Sequence, residues 1–298
     1  MRGLLAVLYS LASVCTVTAV SFTSNRFSSR PRKSLGQHFL VDGRIAERIL
    51  NAAELEPGDV VIEVGPGKGA LTRRLTQRVA SVVAVELDKV LARELTGKLN
   101  YPENLTVIEA DARTLDMEAL EVFDSNYKVV ANLPYYAANP ITRHFLESGL
   151  PPRLMVVMVQ KEVAESMSAS PGKMSLLSVA IQFYASAELV FTVPPASFRP
   201  APKVSSAVVR LKRKSVTALE GNDISPFFDL VRAGFSAPRK QLRNSLCHGL
   251  KTDLEPVSDV LRKADVDGKR RAETLTLEEW LTVFSVCSES GCLGRSQR

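Results

Sequence analysis

The chain of 298 residues is 45% hydrophobic and 23% charged, with a net charge of +6 at pH 7. That length accommodates one large core plus a smaller domain. The four cysteines (Cys15, Cys247, Cys287, Cys292) form no C-x-x-C pair and the three histidines (His38, His144, His248) are scattered, which excludes a disulfide framework and leaves no metal site expected.

The charge is uneven. Residues 1–41 carry +5 and no acid, 42–198 carry −5, 199–271 carry +8 and 272–298 carry −2. Once a leader is removed, the positive charge is concentrated in the last third, where a polyanion is the expected partner.

Arg2, an apolar run from Leu4 to Val20 and the small-residue site Val17-Thr18-Ala19 give residues 1–19 the layout of a secretory signal peptide. The run is shorter than the ~20 residues of a spanning helix and is broken by Ser10, Ser13 and Thr16, so no stable membrane anchor is expected after processing. Residues 20–33 are rich in Ser and Arg without acids, as in an organelle transit peptide. Such a two-part leader resembles those of proteins sent to plastids of secondary endosymbiotic origin. A mitochondrial address and ordinary secretion are the alternatives.

An amphipathic helix is expected from about Asp42, as N-cap, to Ala53. Asp59 to Val64 reads as a strand running into Gly65-Pro66-Gly67-Lys68-Gly69, with a helix beginning near Ala70. A glycine-rich turn between strand and helix lets backbone approach a ligand closely. A second strand, Ser81 to Val85, ends in Glu86, an acid placed to bind both hydroxyls of a ribose. The triplet is neither G-x-G-x-x-G nor a Walker loop, which favours S-adenosylmethionine over a dinucleotide or ATP. A third strand, Leu105 to Glu109, leads to Asp111, placed to accept from the cofactor's adenine amine.

A fourth strand ends in Asn132-Leu133-Pro134-Tyr135. Ligands of open α/β sheets bind at the carboxyl ends of strands, and Pro134 stiffens the chain there. The Asn132 side-chain oxygen and the Leu133 carbonyl suit acceptance from the exocyclic amine of a base, and Tyr135 suits stacking on its ring. A plain turn is the alternative. A fifth strand, Leu154 to Val159, a helix from Leu176 to Tyr184 and a hairpin of 187–193 with 204–213 follow. The fold expected is α/β: a doubly wound, Rossmann-like methyltransferase sheet with an antiparallel edge hairpin. Phe198, in the stiff hairpin loop Phe198-Arg199-Pro200-Ala201-Pro202-Lys203, is placed to stack on the second face of the base.

After a linker at 214–223 the pattern turns helical, giving a small all-helical C-terminal domain over 224–298 beside a methyltransferase domain over 34–213. One helix spans Phe227 to Phe235. A second opens at Ala237-Pro238 and places Arg239, Lys240 and Arg243 on neighbouring turns of one face. Val257 to Lys263 and Thr276 to Val286 complete it. With Lys203, the three cations are expected to meet RNA phosphates.

Leu35-Gly36-Gln37-His38-Phe39-Leu40, Glu63-Val64-Gly65-Pro66-Gly67, Glu86-Leu87-Asp88, Asn132-Leu133-Pro134-Tyr135, Gln160-Lys161-Glu162-Val163, Phe198 to Val204 and Arg239 to Asn244 together resemble the KsgA-type small-subunit ribosomal RNA adenine dimethyltransferases. The resemblance runs from Ser34 to about Phe284. It implies dimethylation of two adjacent adenines near the 3′ end of small-subunit ribosomal RNA, within a pre-assembled subunit, by a monomer. It implies S-adenosylmethionine contacts at Gln37, His38, Leu40, Gly65, Gly67, Glu86, Leu87, Asp111, Ala112 and Asn132, and base contacts at Asn132 to Tyr135 and Phe198. His38 and Tyr136-Ala137-Ala138 depart from the common pattern. A non-catalytic relative acting as an organelle transcription or assembly factor is the alternative.

Overall fold

The computed structural model describes residues 32, 36–118, 120, 126–215, 218–219 and 221–290. Apart from Arg32, both leader segments lie outside the described residues. In chain order the elements are β1 (Phe39–Leu40), α1 (Gly43–Ala52), β2 (Val60–Val64), α2 (Thr72–Leu75), β3 (Ser81–Glu86), α3 (Lys89–Lys98), β4 (Leu105–Glu109), β5 (Lys128–Asn132) and α4 (Ala138–Glu147). There follow β6 (Leu154–Gln160), α5 (Lys161–Met167), α6 (Leu176–Tyr184), β7 (Ala185–Val193), β8 (Phe198–Arg199) and β9 (Ser206–Arg213). Four more helices close the described chain: α7 (Ile224–Phe235), α8 (Leu242–Leu250), α9 (Leu254–Lys263) and α10 (Leu277–Glu289).

The main sheet has seven strands in the order β4-β3-β2-β5-β6-β9-β7. β2 to β6 are parallel, and β9 runs antiparallel between β6 and β7. This is the expected doubly wound sheet with its antiparallel edge. Side chains alternate along each strand. Val61, Val82, Val130, Val156 and Val208 pack with Ile45 and Ile49 of α1. Ile62, Val83, Val129, Met155 and Val209 pack on the other face with Phe145 of α4 and Ile181 of α6. Both faces are covered, so the central strands read as unbroken apolar runs.

The helix expected near Ala70 is a single turn starting at Thr72, with a tight turn of Gly69 on the Pro66 carbonyl before it. Only five residues separate Leu75 from Ser81, too short a span for a longer helix before β3. A second pairing has no local signal: β1 pairs antiparallel with β8, Leu40 opposite Phe198. It fastens the hairpin loop to the amino-terminal segment.

The C-terminal helices form their own core around Trp280, Phe227, Leu242 and Leu246, all buried. α6 belongs to both cores. Its Ile181 faces the sheet, while Phe183 stacks on Phe227 of α7 at 5.3 Å.

At the amino ends of the strands, opposite the glycine turn, a buried ion network joins three elements. Lys128 Nζ lies 2.8 Å from Asp59 Oδ2 and also donates to the Glu54 carbonyl. Arg153 donates to Asp59 Oδ1, and the Glu56 N–H donates to Oδ2 at 2.7 Å. Lys128 and Asp59 side chains are only 3% and 5% exposed. Asp59→Ala would leave the Lys128 charge buried without its carboxylate, so a loss of about 3–5 kcal/mol is predicted. Urea unfolding measures it, and a loss below about 1 kcal/mol, the range of an exposed pair, would show that the network does not fasten the strand starts.

Candidate active site

After β2 the chain winds outward to β3 and β4, then returns to place β5 on the other side of β2. A crevice opens at the carboxyl ends of strands where the winding reverses. Gly65 follows β2 at once and Asn132 ends β5, and a Cβ built on Gly65 would stand 3.4 Å from the Asn132 carbonyl oxygen. Gly65 (φ +70°) and Gly67 (φ +55°) adopt left-handed backbone. A Cβ on Gly67 would meet the Phe39 ring at 3.0 Å. The glycines thus leave a cradle that any side chain would fill, as close backbone approach to a cofactor requires. A cavity of about 840 Å³, open mouth included, lies above them.

Glu86 ends β3 on the cavity wall, nearly buried. Its Oε2 accepts from the Gly67 N–H at 3.0 Å and Oε1 from the Asp88 N–H at 2.9 Å. Burial raises its pKa, against the pull of these donors. Each oxygen keeps a second lone pair for a ligand hydroxyl. Asp88, 1% exposed, caps α3 through the Val90 N–H and accepts from Gln37 Nε2 at 3.1 Å. No site role was read for Asp88 in the sequence, although Glu86-Leu87-Asp88 contains it. Leu87, exposed, and Ala112, buried, also line the cavity. Asp111 lines it too but is already engaged: Arg113 Nε lies 3.0 Å from both its oxygens, and the Arg113 N–H donates to Oδ1. Arg113 holds its pKa below the usual carboxylate range.

The Leu40 side chain stands apart from the other expected contacts. It is 6% exposed, packs in the core with Ile45 and Phe198, and is absent from the cavity wall. Strand alternation turns Phe39 toward the cavity instead, and the Lys68 ammonium lies 4.7 Å from the Phe39 ring centre.

On the other side stand Asn132, Leu133, Pro134 and Tyr135. Asn132 Nδ2 donates to the His38 carbonyl at 3.2 Å, which fixes the amide. Among the described residues no donor meets Asn132 Oδ1 or the Leu133 carbonyl. The His38 ring stacks on Tyr135 with centres 5.7 Å apart and holds the Pro200 carbonyl through Nδ1 at 2.8 Å. Phe198 also lines the cavity, but its ring is 1% exposed and packs with Leu40 and Phe191. It forms a wall of the site, because the β1–β8 pairing draws it inward. The wall also includes Gly36, Arg113, Tyr136 and Ile141, for which no role was read; Tyr136 is half-exposed at the mouth.

The basic residues are arranged differently from the expected helix face. Ala237 to Lys240 form a turn, closed by the Lys240 N–H on the Ala237 carbonyl, and α8 starts at Leu242 because Gln241 is extended. Arg239 and Lys240 are exposed in that turn. Arg243 is half-buried in the first turn of α8, its Nε on Gln241 Oε1 at 3.1 Å. Lys203 is exposed in the hairpin loop and does not line the cavity. Among the described residues no three His, Cys, Asp or Glu side chains cluster as a metal would need.

The family model described as ribosomal RNA adenine dimethylase matches residues 28–283. The chain belongs to that family. It is accordingly an S-adenosylmethionine-dependent ribosomal RNA adenine dimethyltransferase by fold and family. It is 44% identical over 268 residues to ribosomal RNA small subunit methyltransferase A of Dehalococcoides mccartyi strain 195, covering 89% of this chain and 91% of the relative. The protein of that name from Pelotomaculum thermopropionicum is 40% identical, with 93% and 98% covered. Among solved structures, a dimethyladenosine transferase from Plasmodium falciparum superposes with a TM-score of 0.75 at 26% identity, covering 85% and 98%. The 23S rRNA methyltransferase ErmE gives 0.68 at 30% identity, covering 84% and 99%.

The family's glycine turn is preceded here by Glu63, wholly buried, whose carboxyl is pushed up to about 8 by burial and then by the charge of Glu86. Its ordinary value is 4.5. The folded state therefore binds a proton that the unfolded chain releases, so Glu63 costs stability as pH rises from about 4.5 to about 8. Glu63→Gln is predicted to remove up to about 1.4 kcal/mol per pH unit from that decline. Urea unfolding of the cofactor-free protein across this window tests it, and parallel pH profiles for both proteins would refute it.

Proposed function

We propose that this enzyme dimethylates the exocyclic amines of two adjacent adenines near the 3′ end of small-subunit ribosomal RNA, acting as a monomer on a pre-assembled subunit. The observation that carries the adenine chemistry is the pair of open acceptors, Asn132 Oδ1 and the Leu133 carbonyl, at the end of β5 beside the glycine cradle. Support for the small subunit comes from the relatives named for it, which are more similar in sequence than the 23S enzyme.

Gly65 and Gly67 would admit the cofactor's backbone approach, Glu86 its ribose hydroxyls and Leu87, Asp111 and Ala112 its adenine side, with Asp111 sharing its carboxylate with Arg113. When bound, S-adenosylmethionine supplies an electrophilic methyl group. The target adenine leaves its stack to enter the cavity and lies against Tyr135. Asn132 Oδ1 and the Leu133 carbonyl accept the two amine hydrogens, which favours a pyramidal nitrogen and frees its lone pair. These residues would hold the amine nitrogen toward the methyl donor, and the proton of the methylated amine would pass to water. Their positioning of the nitrogen would supply most of the rate. Lys203, Arg239, Lys240 and Arg243 would hold RNA phosphates without reading sequence.

We further propose a plastid address, resting on the signal-like residues 1–19 and the acid-free Ser/Arg segment at 20–33. Residues 1–41 fused to a fluorescent protein are predicted to enter a plastid, and 1–19 alone the secretory route only. Mitochondrial import of the longer fusion would overturn this address.

Asn132→Ala removes one of two acceptors, so single-turnover methylation of unmethylated small subunits is predicted to fall by at least about a hundredfold. Cofactor affinity, measured by calorimetry, is predicted to change far less. Asn132→Asp keeps an acceptor oxygen and is predicted to retain more activity than Ala. Near-normal turnover by the Ala protein would return Asn132 to the part of a turn residue.

A further inference from the structure

Tyr135 is half-buried, and its hydroxyl lies 2.8 Å from Ser206 Oγ. Ser206 is fully buried and does not line the cavity. It opens β9, opposite Gln160 of β6 on one side and Val193 of β7 on the other. Tyr135 therefore leaves the end of β5 and reaches past the neighbouring strand β6 to the one beyond. Two strands hold Ser206 in place, so its hydroxyl is a fixed point.

A hydroxyl buried in a sheet costs stability unless it is hydrogen-bonded, whereas an alanine there would carry no such demand. Among the described residues the partner of this one is the Tyr135 hydroxyl. The interaction also closes a ring of contacts. Asn132 holds the His38 carbonyl, His38 stacks on Tyr135 and holds the Pro200 carbonyl, and the Pro200 loop runs on into Ser206. With His38 on one face of the Tyr135 ring, a base has the other. Stacking needs that face at one fixed tilt, because an offset ring arrangement is favoured only over a narrow range of plane and spacing. A ring anchored only at Cβ still turns about its side-chain torsions. Anchored at the hydroxyl as well, it does not.

We propose that Ser206 is a positioning residue for methyl transfer: its buried hydroxyl pins Tyr135 so that the ring presents one fixed face to the target adenine. This rests on the reading of Tyr135 as the platform for the base. Ser206 touches neither base nor cofactor and acts only through Tyr135.

The test is a double-mutant cycle of Ser206→Ala and Tyr135→Phe in the full-length enzyme. It reads single-turnover methylation of unmethylated small subunits, S-adenosylmethionine affinity and thermal melting. Each single variant is expected to lose about tenfold in rate, the size of one net hydrogen bond, with cofactor affinity within about twofold of wild type. The double variant is expected to be no slower than about twofold below either single, because both remove the same bond. Ser206→Thr, which keeps the hydroxyl, is expected to recover most of the rate. A wild-type rate for Ser206→Ala, or losses that multiply in the double variant, would overturn the inference. So would a cofactor affinity that falls in step with the rate. If Ser206→Ala does not fold, Tyr135→Phe decides alone: a tenfold loss supports the pin and a wild-type rate removes it. A wild-type enzyme that transfers no methyl group overturns the proposed function and this inference together, whereas an active wild type with indifferent variants overturns only this one.

Discussion

Everything at the site depends on one topological constraint. β2 and β5 are neighbours in the sheet, yet the chain leaves them toward opposite sides. No connection covers the ground between their carboxyl ends, so an opening is built in before any side chain is chosen. The sequence then supplies two things at that place. Glycines at 65 and 67 keep the floor free of side chains, and Asn132 with Leu133 puts two acceptors on the rim. The ion network around Asp59 and Lys128 lies at the far end of the same strands. It fixes the strand starts, while the strand ends are left to chemistry.

The opening would be shallow without the segments that close over it. The β1–β8 pair brings the amino-terminal segment against the hairpin loop, and His38 joins that pair to Asn132 and Tyr135. Three distant pieces of chain therefore share one wall. Glu86 does a similar thing on the other wall. Its two oxygens tie the Gly67 turn to the start of α3, so the acid that faces the cavity also sets the shape of the glycine turn. Removing it would disturb both, and a change in affinity at that position has two sources.

Much of the fold was legible because its strands are apolar runs ended by Gly, Asn or acid, and both faces of the sheet are covered. β3, β4, β6 and α6 fall within a residue of expectation. The site was legible wherever a residue lies at a strand end, as with Gly65, Glu86 and Asn132. It failed where position depends on a partner far away in sequence. Only the pairing with Phe198 decides which of the Phe39 and Leu40 side chains faces the cavity. The burial of Phe198 rests on the same pairing. The start of α8 was set four residues too early because Pro238, a good first residue of a helix, also fits the turn that Gln241 ends. The pairing of Asp111 with Arg113, two residues on, depends instead on the local backbone, which the sequence does not display.

The double membership of α6 has a mechanical meaning. Phe183 stacks on Phe227 and Ile181 is sealed against the sheet, so one short helix is a rivet through two cores. The exposed turn at Arg239 and Lys240 is therefore held at a set span from the Asn132 rim, with no soft joint at the helix between. A nucleic acid gripped at that turn would offer a base to the rim only if its own folded shape matched the span. The protein would then work as a caliper, selecting its substrate by a length between two points rather than by the letters along a strand.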